Sequence, residues 1–124
     1  MIQLKNYING EFIDPIQNEW LDNYNPSIGS VYGQTPNSSL KDVNLAYKAA
    51  KKAFVSWSQT SLEKRSAILL KIASLIDANL ERFAEAESKD NGKPITLAKS
   101  VDIPRAASNF RFFGHAITQF YSES

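Results

Sequence analysis

Apolar and polar positions alternate over short stretches at the front of this chain and recur at helical spacing behind them. Tyr7-Ile8 and Phe12-Ile13 flank Asn9-Gly10, a pair that tolerates the positive φ of a type I′ turn, which predicts a β-hairpin. Asp14-Pro15 breaks the pattern. Two further extended runs follow, from Trp20 to Tyr24 and from Val31 to Thr35. Between them, Asn25-Pro26-Ser27-Ile28-Gly29 supplies turn chemistry, because Pro fixes φ and Gly admits a left-handed residue. Pro36 closes the last strand. The front is therefore expected to form two small antiparallel ribbons, which are marginal alone and need a surface to lie against.

Beyond residue 37 the period changes. Ser39, with Asp42 three residues on, marks a capped helix start, and Val43, Ala46, Tyr47, Ala50, Phe54 and Trp57 follow on one face. Thr60 and Glu63 form a capping-box pattern ahead of an apolar stripe of Ile68, Leu69, Ile72, Leu75 and Ile76. Asn79 is expected to cap a third helix running through Leu80, Phe83, Ala84 and Glu87, which Gly92 and Pro94 end. A fourth helical segment begins near Thr96 and runs towards Phe120. Pro104 removes an amide inside it, predicting a kink or a restart with Asp102 as cap. The expected organisation is a β-hairpin arm over residues 1–36 and a small helical bundle over residues 37–124.

The bulk numbers narrow the function classes. A chain of 124 residues fits one domain or a piece of a larger one. Fourteen basic and 13 acidic residues leave a net charge of +1, too little to steer nucleic acid or an anionic membrane. The apolar runs span a few residues, against the roughly 20 that cross a bilayer. Met1 to Asn6 lack the basic start and apolar region of a secretory signal, so a cytoplasmic address is the default expectation. There is no cysteine, which excludes disulfides, thiolate metal sites and a thiol nucleophile within these residues.

Few side chains invite chemistry. His115 is the only histidine and reads as a solvated or packed residue. Glu81, Glu85, Glu87 and Asp90 are interleaved with Arg82 and Lys89, the pattern of a charge-balanced helix surface. The five glycines are scattered, and no phosphate-binding loop can be written through them. Trp20, Trp57 and the seven phenylalanines, without a basic excess, read as core rather than as a stacking surface. Arg105 follows Pro104 at the edge of an apolar stripe of Val101, Ala106, Phe110 and Phe113. Spacing alone favours a surface arginine, solvated or paired with Asp102, although such an arginine can also hold a carboxylate bidentately.

Several segments, taken in order, carry more information than any one of them. They are Tyr7-Ile8-Asn9-Gly10-Glu11-Phe12, Asn25-Pro26-Ser27-x-Gly29-x-Val31, the alanine-rich helix from Ala46 to Phe54 with Trp57 and Arg65, and Glu87-Ser88-x-Asp90-x-Gly92-Lys93-Pro94. Together they resemble the amino-terminal part of an NAD(P)-dependent aldehyde dehydrogenase. Asp102-Ile103-Pro104-Arg105 with Asn109-Phe110-Arg111-Phe112-Phe113 resembles the branch that oxidises 2-aminomuconic and 2-hydroxymuconic semialdehydes, which also includes enzymes described as retinal dehydrogenases.

This resemblance implies an α+β fragment of an α/β enzyme, its hairpins and about four helices packing on a Rossmann-like domain that these residues lack. The intact enzyme would oxidise an aldehyde to the acid with NAD+ through a cysteine thiohemiacetal, and would form a homo-oligomer. The chain alone is expected to be inactive, to bind NAD weakly if at all, and to expose apolar faces. The alternative is a non-catalytic module that docks on full-length subunits or another partner. By the same resemblance, Arg105 lies on the wall of the substrate tunnel and binds a substrate carboxylate, and Val101 lines that tunnel. Asp90, with backbone oxygens near Asn23 and Tyr24, would form a monovalent-cation site, for which oxygen-only ligation is suited.

Overall fold

A computed structural model describes residues 2–120 and divides the chain into two compact units, one ending at Gln59 and the other starting at Thr60. The first unit holds five strands and one helix: β1 (Ile2–Gln3), β2 (Asn6–Ile8), β3 (Glu11–Ile13), β4 (Trp20–Asn25), β5 (Ser30–Pro36) and α1 (Leu40–Trp57). The second holds α2 (Leu62–Ala78), α3 (Leu80–Asn91), the short α4 (Ile95–Leu97), a π-helical turn over Ala98–Asp102, and α5 (Ile103–Ala116). No helix among the described residues is long and apolar enough to cross a membrane.

In the first unit, β2 and β3 form the expected hairpin, with Tyr7 opposite Phe12 and their rings 4.9 Å apart. Asn9 (φ 55°) and Gly10 (φ 86°) supply the two left-handed residues that such a turn demands. Antiparallel β4 and β5 form the second ribbon, joined by a turn in which the Gly29 amide donates to the Asn25 carbonyl at 2.9 Å. The expectation of two ribbons alone is corrected in one respect. β1 adds a parallel edge to β5, giving a three-stranded sheet of order β1-β5-β4. Two residues carry no readable period, and a parallel partner 31 positions away leaves no local trace. The close approach shows at Gly33, where a Cβ would sit 2.8 Å from the Ile2 carbonyl oxygen.

α1 starts as its sequence predicts. Asp42 reaches back to accept from both the amide and the hydroxyl of Ser39, each at 2.7 Å. Its other oxygen accepts from the Ile16 amide at 2.9 Å, fastening the chain after the hairpin to the helix start. These partners hold the Asp42 carboxyl below its ordinary value, the Ser39 hydroxyl contributing most and the Ile16 amide next, against an opposing burial penalty. The apolar face of α1 is bare: Tyr47 and Phe54 are each more than 60% exposed.

In the second unit, α2 packs chiefly on α5 along a seam of small residues. Ser66, Ala73, Ala107 and Gly114 are buried, seven residues apart on each helix, so the backbones can come close. The Ser66 hydroxyl donates to the Gly114 carbonyl at 2.6 Å. Four sequence expectations are corrected here. Ile68 and Leu75 face outward, because the close contact with α5 selects small residues instead of the bulky stripe. The cap of α2 is Ser61, whose side chain accepts from the Lys64 amide at 3.3 Å, one residue on from the Thr60–Glu63 box. Asn79 stands at the N-cap position of α3, its carbonyl accepting from the Phe83 amide at 3.0 Å, but its side-chain amide donates back to the Leu75 carbonyl at 2.8 Å and so finishes α2 instead of capping the α3 amides. The aromatic core does not form within these residues, as all seven phenylalanines are exposed and the fully buried apolar positions are Ala73, Ala84, Ala98 and Ala107.

Candidate functional site

The residues from Lys93 to Arg105 are held by several hydrogen bonds and an ion pair, and they present charged groups. α3 ends at Gly92, whose left-handed backbone (φ 76°) lets its amide return to the Ser88 carbonyl at 2.9 Å. Lys93 is then held at both ends of its peptide. Its amide donates to Asn91 Oδ1 at 2.9 Å, and its carbonyl accepts from the Ser88 hydroxyl at 2.6 Å. Pro94 turns the chain into α4, with its carbonyl accepting from the Leu97 amide.

The helix does not run straight from there into α5. Over Ala98–Asp102 the hydrogen bonds lengthen to a π pattern, and the Ile103 amide reaches the Ala98 carbonyl five residues back. The physical cause is Pro104. Its ring would clash with the carbonyl four residues earlier and it has no amide to donate, so a widened turn absorbs the mismatch before α5 restarts. The restart falls where expected, but Asp102 does not cap it. Its carboxylate instead pairs with Lys93 Nζ at 2.6 Å, with about a quarter of the Asp102 side chain and a third of that of Lys93 exposed.

Val101 is half-buried on the π turn, and Arg105 is exposed one helical turn further on. Among the described residues, no carboxylate pairs with Arg105; Asp102, the partner that spacing suggests, is taken by Lys93. Glu81 pairs with Lys99 and Asp77 with Arg111, as surface ion pairs. His115 is exposed in the last turn of α5. Asp90 is exposed near the end of α3, in the second unit. Asn23 and Tyr24 lie on β4 in the first unit, at an irregularity in which Tyr32 is the extra residue of β5, and the Asn23 side-chain amide donates to the Tyr32 hydroxyl at 2.9 Å. No cluster of three or more His, Cys, Asp or Glu residues that could hold a metal ion occurs among the described residues. The role of Lys93 was not readable from the sequence; its only trace is a lysine between a helix-ending glycine and a proline, with an acid nine residues on.

A separate apolar groove of about 590 Å³ opens between α2 and the end of α5, lined by Leu62, Leu69, Phe113, Ala116, Ile117 and Phe120. It contains no charged side chain.

The aldehyde dehydrogenase family profile matches residues 12–124. The chain belongs to the aldehyde dehydrogenase family. It is 46% identical over 123 residues to 2-aminomuconic semialdehyde dehydrogenase of Bos taurus, covering 99% of this chain and 25% of that protein. The enzyme of the same name from Danio rerio is 50% identical over 114 residues, covering 92% of this chain and 23% of the relative. Among solved structures, PnpE in complex with nicotinamide adenine dinucleotide superposes with a TM-score of 0.95 at 34% identity, and the NAD+ complex of an aldehyde dehydrogenase from Bacillus cereus with 0.94 at 31%. Both matches cover 98% of this chain and 25% of the other. This aldehyde dehydrogenase chain thus spans about a quarter of the length of its relatives and corresponds to their amino-terminal portion.

Proposed function

We propose that these residues form the arm and a substrate-facing wall of an NAD-dependent aldehyde dehydrogenase, and that the intact enzyme oxidises a carboxylate-bearing semialdehyde to the acid. In this reading Arg105 anchors the substrate carboxylate and Val101 lines the apolar wall beside it. One observation supports it above the others: Arg105 presents an exposed guanidinium with no carboxylate partner among the described residues, while the acid three residues before it is already neutralised. A planar guanidinium can grip a carboxylate with two parallel hydrogen bonds, which a lysine cannot reproduce. The likeness to 2-aminomuconic semialdehyde dehydrogenases points to the same substrate class.

The chain has no thiol and no glycine-rich strand-turn-helix for a pyrophosphate. Nicotinamide binding and covalent attack on the aldehyde therefore belong to other residues of a longer polypeptide. What this segment contributes is orientation: it holds the far end of the substrate so that the aldehyde meets the reactive groups. The same reading includes a monovalent cation to which Asp90 supplies an oxygen ligand. The substrate assignment is tested by Arg105→Ala in an aldehyde dehydrogenase of full family length carrying these residues. Loss of a charge-assisted contact should lower kcat/KM for a carboxylated semialdehyde by roughly tenfold to a hundredfold, while a neutral aldehyde of similar size is affected far less. Equal effects on both aldehydes would refute the assignment.

A further inference from the structure

We propose that Lys93 is a positioning residue that keeps Arg105 available for the substrate carboxylate by occupying Asp102. The inference rests on the reading of Arg105 given above. Asp102 and Arg105 are three residues apart in one helical run, the spacing at which an acid and a base normally pair with each other. That pair would be a trap, since a guanidinium engaged by its own helix must release one carboxylate before it takes another. Lys93 removes the trap from outside the helix. Its peptide is clamped on both sides by Asn91 and Ser88, so its ammonium is aimed at Asp102 from a fixed base, and it reaches Oδ2 at 2.6 Å. The only other cation at the same helical spacing from Asp102 is Lys99, and Glu81 engages it. Without Lys93, a half-buried carboxylate would lose its counter-charge, and Arg105 would be the remaining cation in reach.

The test compares five variants of the full-length enzyme, with kcat and KM measured for a carboxylated semialdehyde and a neutral aldehyde. Lys93→Met should raise KM for the carboxylated substrate about threefold, the scale of one competing exposed ion pair, with kcat much less changed. Lys93→Arg should restore the parental KM. Lys93→Met combined with Asp102→Asn should also restore it, because the competing carboxylate is gone. Asp102→Asn alone should leave the preference for the carboxylated substrate in place. A merely structural role also predicts rescue by the double variant, but it predicts equal changes for the neutral and the carboxylated aldehyde, whereas the positioning role confines the change to the carboxylated one. If Arg105→Ala leaves the carboxylated KM unchanged, the underlying substrate reading falls and this inference with it. If Arg105→Ala raises that KM but Lys93→Met does not, or the double variant is no better than Lys93→Met, only the role given to Lys93 is overturned.

Discussion

Gly114 offers a sharp test of how α2 and α5 meet. A Cβ placed there would lie 2.9 Å from Leu70 Cδ2, 3.1 Å from Leu70 Cγ and 3.3 Å from Leu69 Cβ, well inside ordinary carbon contacts of about 3.5–4.0 Å. Leu70 Cδ2 and Cγ can give way only by leaving their rotamer, and Leu69 Cβ is fixed by the α2 backbone, so the helices must separate by a few tenths of an ångström. Overpacking of this kind costs about 1–3 kcal/mol. Replacing a helical glycine by alanine also contributes about 1 kcal/mol of stabilisation through helix propensity. Gly114→Ala should therefore destabilise by about 1 kcal/mol net. In a Leu70→Ala background the two nearest atoms are gone, the steric cost largely disappears, and the same substitution should become stabilising. Urea unfolding followed by far-UV circular dichroism would show the midpoint falling in the first case and rising in the second. An equal midpoint shift in both backgrounds would show that Gly114 is not in contact with Leu70 as described.

Two further outcomes follow from Asp42 and Asp90. The folded-state value of Asp42 is depressed, so its stabilisation is fully present above the ordinary carboxylate range and is lost as pH falls through the lower folded value. Asp42→Asn should flatten the acid side of a plot of urea midpoint against pH, and an unchanged slope would show that the Ser39 and Ile16 contacts do not favour the charged form. For the proposed cation, potassium should raise the thermal midpoint of the full-length enzyme above that in choline chloride of equal ionic strength, and Asp90→Ala should abolish the difference. A potassium effect that survives in the variant would remove Asp90 from the site.

What was legible in the sequence was what local chemistry decides. Asn9-Gly10 predicts its hairpin because both residues accept positive φ, and Ser39 with Asp42 predicts the start of α1 because the contacts close within three residues. Pro104 likewise announces a restart of the helix, although not the π turn that absorbs it. The misreadings share a different cause. Ranking α2 by the size of its apolar side chains picks Ile68 and Leu75, but a neighbour that approaches closely enough to exclude a Cβ at Gly114 selects Ser66 and Ala73. Asn79 and Thr60 have the right residue types for caps, and only the final backbone path determines which carbonyl or amide is in reach. Spacing alone would pair Arg105 with Asp102, but Asp102 pairs with Lys93, a residue beyond a helix end where no periodicity reports it.

The two kinds of apolar residue in this chain do different work. Small ones sit where backbones touch, and through contacts such as Ser66 to Gly114 they set where α5 lies against α2. Large ones, which would each contribute about 1.5–3 kcal/mol on full burial, remain in water: Phe112 and Phe113 on α5 are both more than 60% exposed, as is Phe54 on α1. Helix placement is thus fixed by close contact while most of the available hydrophobic stabilisation is unused by the described residues. A surface of that kind suits a segment whose bulky faces are completed by further protein, and it separates two demands on α5. Its small-residue face must hold position, so that Arg105 projects at a defined point, whereas its aromatic face is free to meet whatever the longer enzyme packs against it.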